Sequence, residues 1–276
     1  MGFGTDMPRL LVVLLLLLGA SPAAAEAVDV PALSAALAEY NRGAKYPLPP
    51  LDEARMKRLL DGKIVKLREV KDDDAPQRGI GLWRVHGFDM DSLWIAGRDV
   101  HFGSVEELTE VPLSDPVHYP VRWYQYLDLP RPFTDRHWMV DSSPTVPLAR
   151  ATEGRCWEYS WGLTPDGPAI AKAAVAAGEV PGIDSHAADD AIYVPVNHGA
   201  WLYIRLPDDS IILGYHATSV VGGRIPEKLV ADYTMLTLGS VLKGVLEKVP
   251  KVRAHYGAAH KPIRGGDGEP ISPTAP

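Results

Sequence analysis

The stretch from residue 198 to residue 249 constrains the fold of this chain more than any other. Residues 200–206 alternate between two faces, as a half-buried strand does, and residues 207–210 have the composition of a turn. Residues 211–220 form a second apolar strand. A helical pattern follows, with apolar side chains at Met235, Leu238, Leu242, Val245 and Val249. The pattern predicts an antiparallel sheet that closes on a long amphipathic helix and leaves an apolar space between them.

Glycine and proline residues indicate where this helix begins and ends. Gly222 and Gly223 allow a sharp turn before it, and Pro226 suits its first turn. Gly239, Ser240 and Gly244 lower helix propensity, which is tolerable where a helix approaches a sheet closely. Pro250 is expected to end the helix.

Two blocks of sequence resemble START domains, which are lipid-binding members of a superfamily that includes polyketide cyclases and the Bet v 1 allergens. The first block runs from Arg122 through Pro132 to Val140, and the second from Gly199 through Gly222-Gly223-Arg224-Ile225-Pro226 to Val230. The resemblance spans residues 51–249 and carries no catalytic signature. It implies an α+β helix-grip fold, in which a curved antiparallel sheet wraps around a long C-terminal helix, and a cavity for a hydrophobic ligand.

The N-terminal residues predict export. Residues 10–18 are an unbroken apolar run, shorter than the roughly 20 residues that a membrane span needs, and Ala23-Ala24-Ala25 follows. We expect residues 1–25 to be a signal peptide cleaved before Glu26, which implies a periplasmic protein. An uncleaved anchor is the alternative, and translation could start at Met1 or at Met7.

The composition and net charge limit the classes of partner that the protein is expected to bind. The chain has 276 residues and a net charge of −7 without a basic cluster, which argues against nucleic acid as a partner. Cys156 is the one cysteine, so no intramolecular disulfide forms, and a role as buried filler is expected. The expected partner is a hydrophobic small molecule or lipid, with transient membrane contact and a monomeric state.

The remaining chain divides coarsely into segments. A helix at 30–40 and a stiff Pro-rich linker at 46–50 form an N-terminal segment, residues 26–50, ahead of a START-like domain at 51–250. Within that domain the patterns predict helices at 52–60, 89–95 and 168–177, and strands at 62–70, 79–88, 121–129, 136–141 and 155–163. Residues 251–276 are expected to be a disordered tail.

No catalytic or metal site is predicted. Asp184, His186, Asp189 and Asp190 lie close in sequence, but their polar, Gly/Pro-flanked setting favours a solvated loop over a metal site. Gly79-Ile80-Gly81 lacks the third glycine of a dinucleotide fingerprint, and no Gly-x-Ser-x-Gly motif is present. We therefore predict no cofactor and no metal.

The aromatic residues are the main clue to a site. The chain has 7 Trp and 11 Tyr against 4 Phe, which favours an apolar lining that keeps polar groups. Period-two alternation places Trp157, Tyr159 and Trp161 on one face of their strand. Core packing alone would also account for any one of these residues. The predicted ligand-binding residues are Trp123, Tyr126, Arg136, Trp138, Tyr159, Trp161, Trp201, Tyr203, Tyr215, Leu238 and Leu242.

Arg136 is the charged residue of this set. If Trp138 and Val140 face inward, Arg136 does as well, and a buried guanidinium needs a partner. Glu158 is a candidate partner, and an Arg on the outer face of the sheet is the alternative.

Three functions remain open from the sequence. The first is an exported protein that binds and carries a single lipid or sterol-like molecule. The second is a cyclase or aromatase-like enzyme, with acid/base candidates at Arg136, His137, Tyr159 and Tyr203. The third is an envelope protein with a packed core and no ligand.

Overall fold

The computed structural model describes residues 27–70, 75–99, 102, 107–114, 121–256 and 263–271. The predicted signal peptide, residues 1–25, lies outside the described residues. The helices are α1 Val30–Gly43, α2 Glu53–Leu60, α3 Met90–Ala96, α4 Val146–Ala151, α5 Gly167–Ala176, α6 Ser185–Asp190 and α7 Glu227–His255. The strands are β1 Val65–Glu69, β2 Arg78–Val85, β3 Leu108–Pro112, β4 Val121–Leu127, β5 Arg136–Pro144, β6 Cys156–Leu163, β7 Ile192–Tyr193, β8 Val196–Arg205, β9 Ile211–Val220, β10 Ile263–Arg264 and β11 Pro270–Ile271.

The first nine strands form one sheet. Its order is β1-β2-β9-β8-β6-β5-β4-β3, and β7 pairs in parallel with the first residues of β5. Every other pairing in the sheet is antiparallel. The long helix α7 lies against β1, β2 and β9. The predicted α+β helix-grip fold is confirmed, since the curved antiparallel sheet closes on the C-terminal helix.

Local capping chemistry sets the starts of four helices. The side chains of Asp29, Asp52, Asp89 and Asp184 each accept a hydrogen bond from a backbone N–H of the first turn. These bonds satisfy N–H groups that have no partner inside the helix. Asp184, which the sequence placed in an acidic cluster, therefore has a structural role.

Helices cover both faces of the sheet. On the face that we call inner, α3 and α7 pack against β2, β6, β8 and β9. On the outer face, α1, α2 and α4 cover one half of the sheet, and α5 and α6 cover β4 and β5. The N-terminal helix α1 thus packs on the outer face of the sheet.

The close approach of α7 depends on strand glycines. A Cβ atom at Gly79 would lie 2.8 Å from Thr234 Cγ2, and one at Gly81 would lie 3.3 Å from Leu238 Cβ. Gly244 on the helix has no neighbour within 4 Å of such an atom. The small residues that permit contact are therefore on β2, and the role predicted for the helix glycines is wrong for Gly244.

Two predictions about the C-terminus are also corrected. Pro250 lies inside α7, which continues to His255. Proline removes one N–H bond, but the last turns are held by buried Val249 and Val252 and by the Arg253–Asp89 ion pair. Of the segment 251–276 predicted to be a disordered tail, residues 251–255 are helical and residues 263–271 form the β10–β11 hairpin. Ile263 is buried, because this hairpin packs against the inner-face core.

Candidate ligand-binding site

The sheet places most of the predicted site residues on one side. Trp157 pairs with Tyr203, Tyr159 with Trp201, and Trp201 with Tyr215 across neighbouring strands, so these side chains share the inner face. Trp123 joins them through Ser142, whose hydroxyl contacts both Trp123 Nε1, at 3.0 Å, and Tyr159 Oη, at 2.9 Å. The predicted sharing of one face by alternate aromatic residues is confirmed.

One half of the inner face is filled. Trp94 of α3 inserts edge-on between three aromatic rings, with centroid distances of 5.2 Å to Trp157, 5.7 Å to Tyr159 and 5.6 Å to Tyr203. The Tyr203 side chain is fully buried, and burial raises the pKa of its hydroxyl. Tyr159 and Tyr203, predicted to contact ligand, are parts of this packed core. Leu238 and Leu242 are buried as well, against Gly81.

The other half keeps accessible aromatic surface. Trp161, Trp201 and Tyr215 are all partly exposed, and Tyr215 contacts both tryptophans. The Trp161 and Tyr215 rings stack at 5.5 Å, and the Trp201 and Tyr215 rings lie 4.6 Å apart. Burial, with a contribution from the charge of Glu110, raises the pKa of Tyr215 to about 12. We call Trp161, Trp201 and Tyr215 the aromatic cluster.

A polar chain that the sequence analysis did not single out lies on the same face. Trp138 Nε1 donates to Gln125 Oε1, and Gln125 Nε2 donates to Glu110 Oε1, each at 2.5 Å. Gln125 faces inward because it is two residues from Trp123 in β4, and Glu110 faces the same way because it pairs with Gln125. Alternation from Trp123 would have placed Gln125 inward, but β3 was not among the predicted strands.

Of the two alternatives for Arg136, the structure shows the inward one: the side chain is buried on the inner side, but its partner is not Glu158. Its guanidinium donates to the carbonyl oxygens of Val221, at 2.6 Å, Gly222, at 2.9 Å, and Asp135, at 3.2 Å, and also to that of Thr134. These bonds fix the turn between β9 and α7. Arg136 is 1 % exposed and therefore has a structural role.

Glu158 lies on the outer face because alternation directs it away from Trp157. Its carboxylate accepts hydrogen bonds from Tyr40 Oη at 2.9 Å, from the backbone N–H groups of Lys45 at 2.8 Å and Tyr46 at 3.2 Å, and from the Thr145 hydroxyl. The buried carboxylate thus attaches the N-terminal segment to the sheet.

Tyr126 is the predicted site residue that the structure places on the wrong side. It faces outward into the cluster formed with α5 and α6, and its hydroxyl donates to Asp135 at 2.7 Å. His137 also faces outward, where its Nδ1 atom lies 3.0 Å from Tyr124 Oη. The four acid/base candidates of the enzyme hypothesis therefore do not converge, because the sheet separates His137 from Arg136, Tyr159 and Tyr203.

A recess of about 310 Å³ opens beside the aromatic cluster. It is lined by Tyr46, Leu163, Pro195, Val196, Asn197 and His198. Asn197 Oδ1 accepts a hydrogen bond from Trp161 Nε1 at 2.9 Å, so the recess borders the cluster directly. Its volume is at the lower end of those that hold small ligands. A second recess of about 210 Å³ lies on the outer face near His137 and Lys172.

The described residues offer neither a cluster of metal ligands nor a reactive cysteine. Within the described ranges, no cluster of three or more His, Cys, Asp or Glu side chains is placed to hold a metal ion. Burial raises the pKa of the Cys156 thiol to about 12, so the reactive thiolate is scarce at neutral pH.

Comparison with solved structures finds similar folds at low identity. Human STARD10 has a TM-score of 0.47 and 13% identity, with 77% of this chain and 86% of that chain covered. The STAR-related lipid transfer protein from Xanthomonas axonopodis has a TM-score of 0.46 and 16% identity, covering 68% of this chain and 93% of that one. The Zhui aromatase/cyclase from Streptomyces sp. R1128 has a TM-score of 0.33 and 14% identity, covering 67% and 98%.

Two comparisons by sequence find no match. No family model matches the chain. No curated protein matches it either. The structure itself establishes the fold, a curved antiparallel sheet that closes on a long C-terminal helix.

Proposed function

We propose that this protein binds a single hydrophobic molecule, such as a lipid or sterol-like compound, against the open half of the inner face. The observation that carries the proposal is the aromatic cluster. Trp161, Trp201 and Tyr215 keep accessible surface beside a core in which Trp94 fills the other half. Burial of apolar ligand surface there would contribute roughly 25 cal/mol per Å².

The first turns of α7 support a role in membrane contact. Leu229, Tyr233 and Leu236 are 54%, 63% and 74% exposed, and their spacing places them on one side of the helix. Apolar side chains this exposed are suited to the surface of a bilayer. We propose that α7 contacts a membrane transiently while the protein, as an exported monomer, collects or releases its ligand.

Ligand recovery tests the proposal. The chain is expressed with its N-terminus intact, recovered from the periplasm, and analysed by native mass spectrometry before and after extraction with organic solvent. We expect one lipid-sized adduct per monomer. Recovery of the protein from the cytoplasm alone would contradict export, and recovery without an adduct, followed by no uptake from a total lipid extract, would contradict ligand binding.

Matched variants locate the site. Trp201→Ala and Tyr215→Ala should each weaken lipid uptake about tenfold, because each removes a large part of the apolar wall. Phe133→Ala provides the control, since Phe133 is 41% exposed in the turn before β5. Equal uptake by all three variants would show that the ligand binds elsewhere.

A further inference from the structure

We propose that the polar end of the ligand is a hydrogen-bond donor, a hydroxyl or a protonated amine, that binds the carboxylate of Glu110. This inference rests on the proposed function and adds a chemical class to it. It depends on the direction of the chain Trp138–Gln125–Glu110, on the position of Glu110 inside the concave face, and on the absence of a competing donor among the described residues.

Trp138 fixes the direction of this series of hydrogen bonds. An indole N–H can only donate, so Trp138 requires the Gln125 amide oxygen as its acceptor, at 2.5 Å. The amide nitrogen of Gln125 is then directed at Glu110 Oε1, also at 2.5 Å. Both side-chain groups of Gln125 are thereby used, and the chain ends on a carboxylate whose second oxygen can accept.

The second carboxylate oxygen is available. Among the described residues, one side chain donates a hydrogen bond to Glu110. It is Gln125, and it binds Oε1, which leaves Oε2 without a described donor. No ion pair with a described Lys or Arg forms at Glu110 within 4.0 Å. The Lys248 ammonium lies near enough to oppose the rise in the pKa of Glu110, but it donates to the carbonyl oxygen of Asp99, at 3.4 Å.

Glu110 lies on the inner face of the sheet, on the edge strand β3. Its side chain is accessible, yet desolvation by the surrounding protein raises the pKa of its carboxyl. Its charge also raises the pKa of Tyr215, although four strands separate β3 from β9 in the sheet. The strand pairings place Glu110 on the same concave face as the aromatic cluster, and its charge acts on Tyr215 across that face.

The apolar and polar parts of this face together suit one type of ligand. The apolar body would lie on Trp161, Trp201 and Tyr215, and its polar end would lie toward Glu110. A ligand that ends in a carboxylate would meet a like charge, and an ester or ketone would offer an acceptor to an acceptor. A hydroxyl or an ammonium would satisfy the free oxygen, the ammonium with added charge attraction and a contribution from the aromatic faces.

A series of probes with equal chain length tests this selectivity on the wild-type protein. We propose to measure the binding of 1-decanol, decylamine, decanoic acid and methyl decanoate at pH 7.5 by quenching of intrinsic tryptophan fluorescence. The alcohol, the amine or both should bind about tenfold or more tightly than the acid and the ester, the difference expected for a hydrogen bond to a charged group. The ranking of alcohol against amine distinguishes the two donors.

Variants assign the selectivity to one side chain. Glu110→Gln should reduce the affinity for the donor probes about tenfold and leave methyl decanoate nearly unchanged, because the amide can still accept from Gln125. Glu179→Gln is the matched control, since Glu179 is exposed in the turn after α5, on the outer side of the sheet. Circular dichroism checks that both variants are folded.

The outcomes separate the two proposals. Binding of all four probes with equal affinity would overturn the donor preference while supporting an apolar site. Tighter binding of the acid or the ester would overturn it as well, as would a donor preference that survives in Glu110→Gln. Failure of all four probes and of a total lipid extract to bind would contradict the proposed function itself.

Discussion

The indole ring of Trp94 packs edge-on against the phenol ring of Tyr203, with 5.6 Å between the ring centroids. Through this contact the short helix α3 fills one half of the inner face of the sheet. Trp94 is fully buried, and its Nε1 atom donates to the carbonyl oxygen of Arg264 at 3.0 Å, which also holds the C-terminal hairpin. The area of the inner face that stays uncovered is therefore set by α3 as much as by the sheet.

Trp94→Ala should lower the free energy of unfolding by about 3–5 kcal/mol, the usual cost of truncating a buried tryptophan. Denaturation with urea measures this change. Trp161→Ala is the comparison, because Trp161 is partly exposed and should cost less stability while weakening lipid uptake. A Trp94→Ala protein as stable as Trp161→Ala would contradict the assignment of Trp94 to the core.

Arg136→Met should destabilise the protein by about 3 kcal/mol or more. The substitution leaves buried carbonyl oxygens in the turn before α7 without donors, and each such loss costs about 1–3 kcal/mol. Arg122→Met is the control, since the Arg122–Asp141 pair is partly exposed and such pairs contribute roughly 0–1 kcal/mol. Equal unfolding midpoints in urea for the two variants would refute a structural role of Arg136.

Glu158→Gln should loosen the N-terminal segment. The amide nitrogen cannot accept the N–H bond of Lys45 or the hydroxyl bond of Thr145, which a single carboxylate oxygen now receives. We expect faster hydrogen exchange in residues 30–46 and a loss of about 1–3 kcal/mol in unfolding free energy. Glu153→Gln, at an exposed position, should change neither measurement.

Because the His216 side chain is buried, we expect the free energy of unfolding to fall in acid. Burial, with smaller contributions from the charges of Arg78 and His198, lowers the pKa of His216 well below its ordinary value of 6.5. In the described structure neither ring nitrogen has a hydrogen-bond partner. The unfolded chain therefore binds the proton more readily than the folded chain, and the free energy of unfolding falls as the pH drops below 6.5.

Urea denaturation between pH 7.5 and pH 5 measures this decline. His216→Leu should flatten it, by up to about 1.4 kcal/mol per pH unit for one proton. His186→Gln is the control, because the exposed His186 has a raised pKa and its loss should leave the decline in place. Identical slopes for the wild type and His216→Leu would argue against a buried neutral histidine.

The sequence predicted the order of the elements well, because that order depends on local patterns. The hairpin of β8 and β9, the helix α7, and the sharing of one strand face by Trp157 and Tyr159 all follow from periodicity and turn residues. The same alternation placed Arg136 on one face with Trp138 and Val140, without deciding which face of the sheet that is. The predicted helix end at Pro250 failed, because packing of Val252 and the Arg253–Asp89 ion pair outweighs one missing N–H bond.

The composition of the site was decided by contacts between residues far apart in the chain. Periodicity shows which residues share a face of one strand, but not which face of the sheet the helices leave open. Alternation already separates Trp123 from Tyr126, but only the packing of α5 and α6 shows that Tyr126 is the outward one. Which inward aromatic rings stay accessible depends on α3, whose Trp94 covers Tyr203 but not Trp201 or Tyr215.

The sequence by itself determined an antiparallel sheet with a long C-terminal helix and an interior rich in tryptophan and tyrosine. Only the tertiary structure decided that Arg136 fixes a turn, that Glu158 holds the N-terminal segment, and that Glu110 lies on the same face of the sheet as the aromatic cluster. The physical reason is that period-two and period-3.6 patterns encode burial along one element, whereas hydrogen-bond partners and free surface depend on how separate elements meet.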